Sequence, residues 1–438
     1  MYQSEDFTSN YKLFQTTFSN HLFVTNGSQV YDIDDTVVSK ILEVEKSGNQ
    51  FKEDSTLYQF LRKFQGTKYI SKDIDNVILP SVNSISINIA QACNMSCSYC
   101  YADEGKFRGL AKTMRSVEAF RTVDFLFETS DQTADIVLGF IGGEPLLSRE
   151  LLHATTRYAW SKAKAEGRTI RFSITTNGTL IKTEDVKLFH EYPFSVTISI
   201  DGDQEMNAQS RKLKNGKDAY SSIREALNLF QKEGRPNQLS ARATVTPKSG
   251  NLLVALDHLI NLGFDDVGFS PVLVSPDKSL EFTEQDFDNF LSNMVQCGEK
   301  ALREIKLGRD YPFGNLETAL QEIHKGTHRP YPCGAGAGYL SVNTKGNLFA
   351  CHRFIDDKDY AMGDIFKGTN NERRLSHLKQ SHVDLMEPCK TCWARYLCGG
   401  GCYHEVKLRG RKACNYIREW LLFCLKAYVE LSEGELNR

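Results

Sequence analysis

This chain of 438 residues has almost no net charge, with 53 Lys and Arg against 55 Asp and Glu. Without a basic excess, bulk composition offers no electrostatic footprint for gripping nucleic-acid phosphates. No run of 18 or more apolar residues exists, so no segment reads as a membrane span. The first stretch, MYQSEDFTSNYKLF, carries Glu5 and Asp6 and has no apolar core, so it does not read as a secretory signal. With no export signal, the twelve cysteines do not read as a disulfide framework. They point to metal or redox chemistry in a reducing, cytoplasmic compartment, with neither nucleic acid nor membrane as partner.

The cysteines are clustered. Cys93, Cys97 and Cys100 lie in QACNMSCSYCYADEG (91–105), and Cys333, Cys351, Cys389, Cys392, Cys398, Cys402 and Cys414 follow in a Cys- and Gly-rich stretch. Cys297 and Cys424 stand apart and read as small buried hydrophobes.

Three organisational units are expected. Residues 1–80 contain HLFVTNGSQVYDI (21–33), two alternating runs around Asn26-Gly27 that signal a hairpin. Helical spacing follows in 36–46 (Val37, Ile41, Val44) and in 55–64 (Leu57, Phe60, Leu61, Phe64), which suits a winged-helix-like module. From about 81 to 320, strand patterns at 84–90, 135–141, 169–176, 194–200, 239–246 and 266–272 alternate with helical patterns, the mark of a parallel α/β sheet. Such sheets carry their chemistry on loops at the C-terminal strand ends, where the first cysteine loop falls. A helix is expected near 284–307, with 311–317 and 326–332 as connecting loops. Residues 321–438 form the third unit, in which 333–414 are poor in long periodic segments and are expected to need metal staples in place of a core.

The first loop lacks a fourth ligand. Structural zinc takes four, and no histidine lies nearby. A four-iron cluster is usually tied by four cysteines, and with three, one iron keeps an open position for a reactive group. A zinc knuckle with a distant fourth ligand is the competing reading.

The spacing C-x3-C-x2-C, with Tyr99 before the last cysteine and a strand just before the loop, resembles the radical S-adenosylmethionine (radical SAM) superfamily. The resemblance implies a partial (β/α)6 TIM barrel and a [4Fe-4S] cluster on Cys93, Cys97 and Cys100. Its open iron chelates SAM, which is cleaved to a hydrogen-abstracting 5′-deoxyadenosyl radical. It extends to IGGEP (141–145), where Gly142, Gly143 and Glu144 match the segment holding the SAM amino group. It also covers TTNGTLI (175–181), with Thr176 and Asn177 lining the site, and Ser199 and Arg211 at positions that meet the SAM carboxylate. Tyr99 is expected to pack at the adenine.

The later cysteines resemble the SPASM extension of radical SAM peptide-modifying enzymes, in C-x12-G-x4-C, C-x2-C-x5-C-x3-C and a final cysteine. That implies two auxiliary [4Fe-4S] clusters, an outer one on Cys389, Cys392, Cys398 and Cys414 and an inner one on Cys333, Cys351 and Cys402. Cys414 is preferred to Cys424 as the last ligand because CNYIREW resembles the family's closing segment. Where some members carry a further cysteine, this chain has Tyr339. The inner cluster therefore keeps an open iron, suited to a substrate thiolate, or takes a ligand not visible in sequence.

Sulfatase-maturing members begin almost directly with the first loop and carry an acidic residue where this chain has His352, and both departures point elsewhere. ACHRF (350–354), CGGGCYHE (398–405) and CNYIREW resemble thioether-forming maturases of ribosomally made peptides, including quinohemoprotein amine dehydrogenase maturases and ranthipeptide synthases. The resemblance implies a precursor peptide whose leader adds as a strand to the N-terminal module, and a reducing protein such as flavodoxin or ferredoxin. Carbon–carbon crosslinking, epimerisation and formylglycine formation share every motif. A metal-sensing winged-helix binding protein is the rival from another class. His352 and His404 flank cluster cysteines, as bases or as packing groups.

Overall fold

Small polar and apolar residues alternate along most of the parallel strands, and that alternation builds the molecule. The computed structural model describes residues 10–47, 78–107 and 109–436. Strands β1 (Tyr11–Gln15), β2 (Asn20–Val24) and β3 (Gln29–Ile33) form an antiparallel sheet in that order, followed by helix α1 (Asp35–Ser47). The hairpin at Asn26-Gly27 is the β2–β3 turn, with Gly27 and Ser28 both at positive φ. β1 was not foreseen, and the helix expected at 55–64 lies outside the described residues.

This sheet buries both faces. Tyr11, Leu22, Val24 and Ile33 close over Ile41 of α1 as a small core of their own. Phe14 and Phe23 belong instead to the main core of the molecule, where Phe23 meets the Trp393 ring edge-on at 5.7 Å.

Six parallel strands follow, β4 (Ser84–Gln91), β5 (Ile136–Gly142), β6 (Ile170–Thr176), β7 (Phe194–Ser199), β8 (Gln238–Val245) and β9 (Asp266–Pro271), neighbours in chain order. Helices Ser116–Thr129, Arg149–Ala165, Thr183–Glu191, Ala219–Glu233 and Leu252–Asn261 separate them. β7 displays the logic: Phe194, Val196 and Ile198 are buried, while Ser195, Thr197 and Ser199 on the opposite face are partly open. The result is a parallel α/β sheet of six βα units, as in a partial (β/α)6 barrel.

The C-terminal stretch departs from the expectation that metal alone holds it together. Its strand β10 (Tyr339–Val342) pairs in parallel with β4, and β11 (Asn347–Phe349), β12 (Ala361–Asp364) and β13 (Gly368–Thr369) continue the sheet antiparallel. Leu340, Val342, Leu348, Phe354 and Ile365 join the main core. That addition buries β4 along nearly its whole length. A smaller cluster of Val383, Cys389 and Tyr396 packs apart from it.

Residues 311–317, expected as a loop, instead lead into a helix, Gly314–His324. Helices Glu284–Lys306 and Cys414–Leu436 pack together, with Phe290 against Tyr416 at 5.0 Å. Cys297 and Cys424 are fully buried in the main core. Among the described residues, no helix is long and apolar enough to cross a membrane.

Candidate functional site

The loop after β4 carries Cys93, Cys97 and Cys100 over the C-terminal strand ends. It is pinned by backbone bonds to the segment after β7, from Ser96 N–H to Lys212 O (2.9 Å) and from Ser98 N–H to Ser210 O (3.0 Å). On its other side the β5 turn closes in, with Gly143 N–H donating to Ala90 O (2.9 Å) and Glu144 N–H to Ala92 O (2.8 Å). A Cβ on Gly142 would overlap Ala90 O, and one on Gly143 would overlap Ala92 O. These glycines are therefore required first by the approach of two protein segments, not only by a ligand.

Glu144 is fully buried, and its carboxylate is committed to the protein. It accepts from Thr176 Oγ1 (2.7 Å), Asn177 N–H (2.7 Å) and Leu146 N–H (3.0 Å). Burial pushes its pKa up and these bonds oppose the rise. Asn177 also donates to Asn94 Oδ1 (2.8 Å), and Asn94 donates to Thr179 Oγ1 (2.8 Å), so a polar lattice ties the β6 turn to the cysteine loop.

A cavity of ≈ 240 Å³ opens here. It is lined by Cys93, Cys97, Tyr99, Cys100, Gly142, Gly143, Thr176, Asn177, Ser199 and Arg211, and also by Tyr101, Arg353 and Glu405. Glu144, although expected at the site, does not line it. Arg211 is no solvated surface charge, being only 5 % exposed. It donates from Nη1 to the Tyr99 hydroxyl (2.9 Å), which donates to Asp201 Oδ2 (2.7 Å). Its Nε is buried with no hydrogen-bond partner.

Sequence reasoning missed Asn94, Asp201, Tyr101, Arg353 and Glu405. The last three join the cysteine loop to the C-terminal region. Arg353 lies over the Tyr101 ring at 4.9 Å and donates to Glu405 Oε1 (2.8 Å). All five stand inside or beside stretches singled out for their cysteines or glycines, and only contact distinguishes them.

All twelve cysteines are free. Burial pushes Cys93 up to about 11, and the charges of Cys97 and Cys100 add to the rise. Cys351 goes up to about 12 for the same first reason, with Cys402 and Cys333 adding. Cys389 goes to about 11, again by burial, with Cys398, Cys414 and Cys392 adding and Arg411 opposing. Cys93 thus lies near Cys97 and Cys100, Cys351 near Cys333 and Cys402, and Cys389 near Cys392, Cys398 and Cys414. Cys389, Cys392, Cys398 and Cys414 line one apolar cavity of ≈ 80 Å³, with Cys402 at its wall. Tyr339, beside Cys351, has its hydroxyl engaged with Ser86 Oγ (2.6 Å) and His352 Nδ1 (3.2 Å). Burial holds His352 down to about 3.

Residues 87–250 match the model of the Radical SAM superfamily. The chain carries a radical SAM domain. It is 24% identical over 345 residues to a serine-type anaerobic sulfatase-maturating enzyme of Klebsiella aerogenes, covering 74% of this chain and 80% of that one. It is 24% identical over 352 residues to a cysteine-type anaerobic sulfatase-maturating enzyme of Clostridium perfringens, covering 74% and 89%. Among solved structures, anSMEcpe with bound AdoMet superposes with a TM-score of 0.70 at 21% identity, over 80% of this chain and 95% of that one. Streptococcus suis SuiB bound to its precursor peptide SuiA superposes at 0.54 and 14% identity, over 92% and 97%.

Radical SAM domains work with a [4Fe-4S] cluster and SAM, and the residues present fit both. Thiols whose pKa burial raises are poor anions until a cationic metal centre displaces their protons. Among the described residues no three Cys, His, Asp or Glu side chains are placed to share a single metal ion. Cysteines grouped in sequence in threes and fours are the donor type that ties iron–sulfur clusters. The partnerless Nε of Arg211 suits a carboxylate.

Proposed function

We propose that this protein is a radical SAM enzyme that modifies a ribosomally made peptide. Residues 1–80 act as a leader-recognition element, 81–320 as the catalytic barrel and 321–438 as a SPASM region with two auxiliary clusters. The observation that carries the reading is the cavity over the strand ends. One wall is the three-cysteine loop with Gly142, Gly143, Asn177, Ser199 and Arg211, and another is Arg353 and Glu405 of the SPASM region. A substrate there stands between the radical source and the auxiliary thiols.

Within this proposal Cys93, Cys97 and Cys100 hold the SAM-binding cluster, Cys389, Cys392, Cys398 and Cys414 the outer one, and Cys333, Cys351 and Cys402 the inner one. When bound, these groups supply a 5′-deoxyadenosyl radical that takes a hydrogen atom from the peptide, and a sink for one electron. The chain's own residues place and enclose the reactants. Glu144 holds the Thr176–Asn177 turn against the cysteine loop, Arg211 takes the SAM carboxylate, and the Arg353–Glu405 pair closes the side toward the inner cysteines. The engaged hydroxyl of Tyr339 supports leaving the inner cluster's fourth position open to a substrate thiolate. Each thioether makes one C–S bond and removes one C–H and one S–H, so the peptide loses two hydrogens. β3, paired only with β2 among the described residues, offers an edge on which a leader can add. A small reducing protein such as flavodoxin or ferredoxin delivers electrons.

The second reading is oxidation of a Cys or Ser to formylglycine, favoured by the curated sulfatase-maturating relatives. His352, where the resemblance to sulfatase-maturing members would lead one to expect an acidic residue, weighs against it. High-resolution mass of a precursor peptide co-expressed anaerobically and then alkylated decides between them. Loss of two hydrogens with one thiol protected per event is expected. The same loss with every thiol reactive would leave carbon–carbon crosslinking or oxidation of a Ser to formylglycine, which labelling of the new aldehyde by a hydrazide separates. An aldehyde in place of a Cys or Ser side chain would establish the second reading.

A further inference from the structure

The Tyr99 side chain does more in this structure than fill space near an adenine. Its ring packs on Val272, Leu280 and Cys97, and its hydroxyl stands between two buried charges. It donates to Asp201 and accepts from Arg211, at 2.7 and 2.9 Å. Asp201 is itself fixed, because Oδ1 accepts from Thr244 N–H at 3.0 Å. Arg211 sits at the C-terminal end of helix Gln204–Ser210, and its neighbours Ser210 and Lys212 bond to the backbone of the cysteine loop. Both the backbone and the side chain of Arg211 are therefore set by the loop that carries the thiols. One N–H group is spent on the phenol, while Nε, buried beside the cavity, has no partner. An unpaired N–H on a buried cation is costly, and a ligand carboxylate relieves that cost.

We propose that Tyr99, anchored on Asp201, is a positioning residue that aims the Arg211 guanidinium into the cavity at the carboxylate of the bound amino-acid moiety. The inference rests on the reading of that cavity as the SAM site and adds a link the motifs do not contain. The aromatic residue before the third cysteine sets affinity through its hydroxyl. A guanidinium on a long flexible stem otherwise loses several rotors' worth of entropy on binding. The phenol bond removes that freedom in advance.

The test uses full-length, iron-reconstituted protein and SAM as the probe, measured by equilibrium dialysis and by the KM for SAM cleavage. Tyr99→Phe removes one oxygen and keeps the ring. It is expected to raise the Kd and KM for SAM about tenfold or more, to leave the rate at saturating SAM within about twofold, and to leave iron per chain unchanged. Asp201→Ala is expected to act in the same direction, and a wild-type Kd in that variant would overturn the anchoring role. In an Arg211→Lys background, Tyr99→Phe is expected to add little, because both changes break one linkage. An unchanged Kd in Tyr99→Phe, additive losses in the double variant, or loss of iron from Tyr99→Phe would each overturn the proposal. A wild-type protein that fails to bind SAM would overturn the SAM reading itself, and this inference with it.

Discussion

The two cysteine regions are mounted differently. Cys93, Cys97 and Cys100 ride on a loop whose every anchor is protein: the end of β4, the Gly142–Gly143 turn, the 210–214 segment and the Asn94–Asn177 lattice. The barrel beneath packs on the main core, to which the C-terminal region also contributes. Cys389, Cys392, Cys398 and Cys414 instead surround an apolar void, where Cys389 sits in a small satellite core with Val383 and Tyr396 while Cys392 and Cys398, with Ala394 and Leu397, pack with the main core. In the first region metal is an addition to a finished fold. In the second, a cluster held as proposed would fill the void and add to the packing.

The comparison breaks most sharply if the first trio is removed. Replacing Cys93, Cys97 and Cys100 together by Ala is expected to abolish SAM cleavage. The circular dichroism spectrum should stay as in wild type, and the melting temperature should move by no more than about 4 °C. A collapse of the fold would show that both regions depend on metal alike.

The mirror experiment is Cys389→Ser with Cys398→Ser. About four irons per chain should be lost, and limited proteolysis should open the segment around 383–414 while the barrel persists. Retained protection there would show that packing alone holds the second region.

Much of this architecture was legible before any coordinates. Strands such as β4 and β7 alternate Ser, Thr or Asn with Ile, Val and Phe, so their period is plain in residues such as 194–199. The helix at 314–324 was not, because Pro312 and Gly314 read as a turn and few of its apolar residues are deeply buried. The core of the C-terminal region was equally hidden. Leu340 and Val342 sit in a four-residue strand, and their burial comes from pairing with β4, roughly 250 residues earlier. At the site, motif residues could be read by spacing. Asp201, Asn94 and the Arg353–Glu405 pair could not, because their roles exist only between segments distant in sequence. Spacing does not show that Glu144 bonds to Thr176 and Asn177 of the neighbouring turn; only the folded chain does.

The N-terminal sheet sharpens the contrast from a third side, since it docks by ordinary packing. Phe23 is fully buried among main-core residues and meets Trp393, just after Cys392. Phe23→Ala is expected to cost about 3–4 kcal/mol of the stability of that contact. It should raise protease sensitivity in the N-terminal sheet more than in the barrel. If the sheet's protection is unchanged, its own small core around Ile41 suffices to hold it in place.

The smallest expected effect isolates one hydrogen bond of the same contact. Thr25 is buried, and its hydroxyl donates to Trp393 O at 2.9 Å, coupling the β2–β3 turn to the outer cysteine segment. Thr25→Val keeps the shape and removes the donor, leaving a carbonyl partly unsatisfied. The expected loss is about 1 kcal/mol, read as a small downward shift in the denaturation midpoint. The shift should be larger in iron-loaded than in iron-free protein. In the loaded state the 389–398 segment is rigid, and the carbonyl cannot turn to another donor. Without metal the segment relaxes, and the lost bond costs less. Equal shifts in both states would mean that the segment is as well ordered without its metal as with it, which would erase the difference between the two cysteine regions at its root.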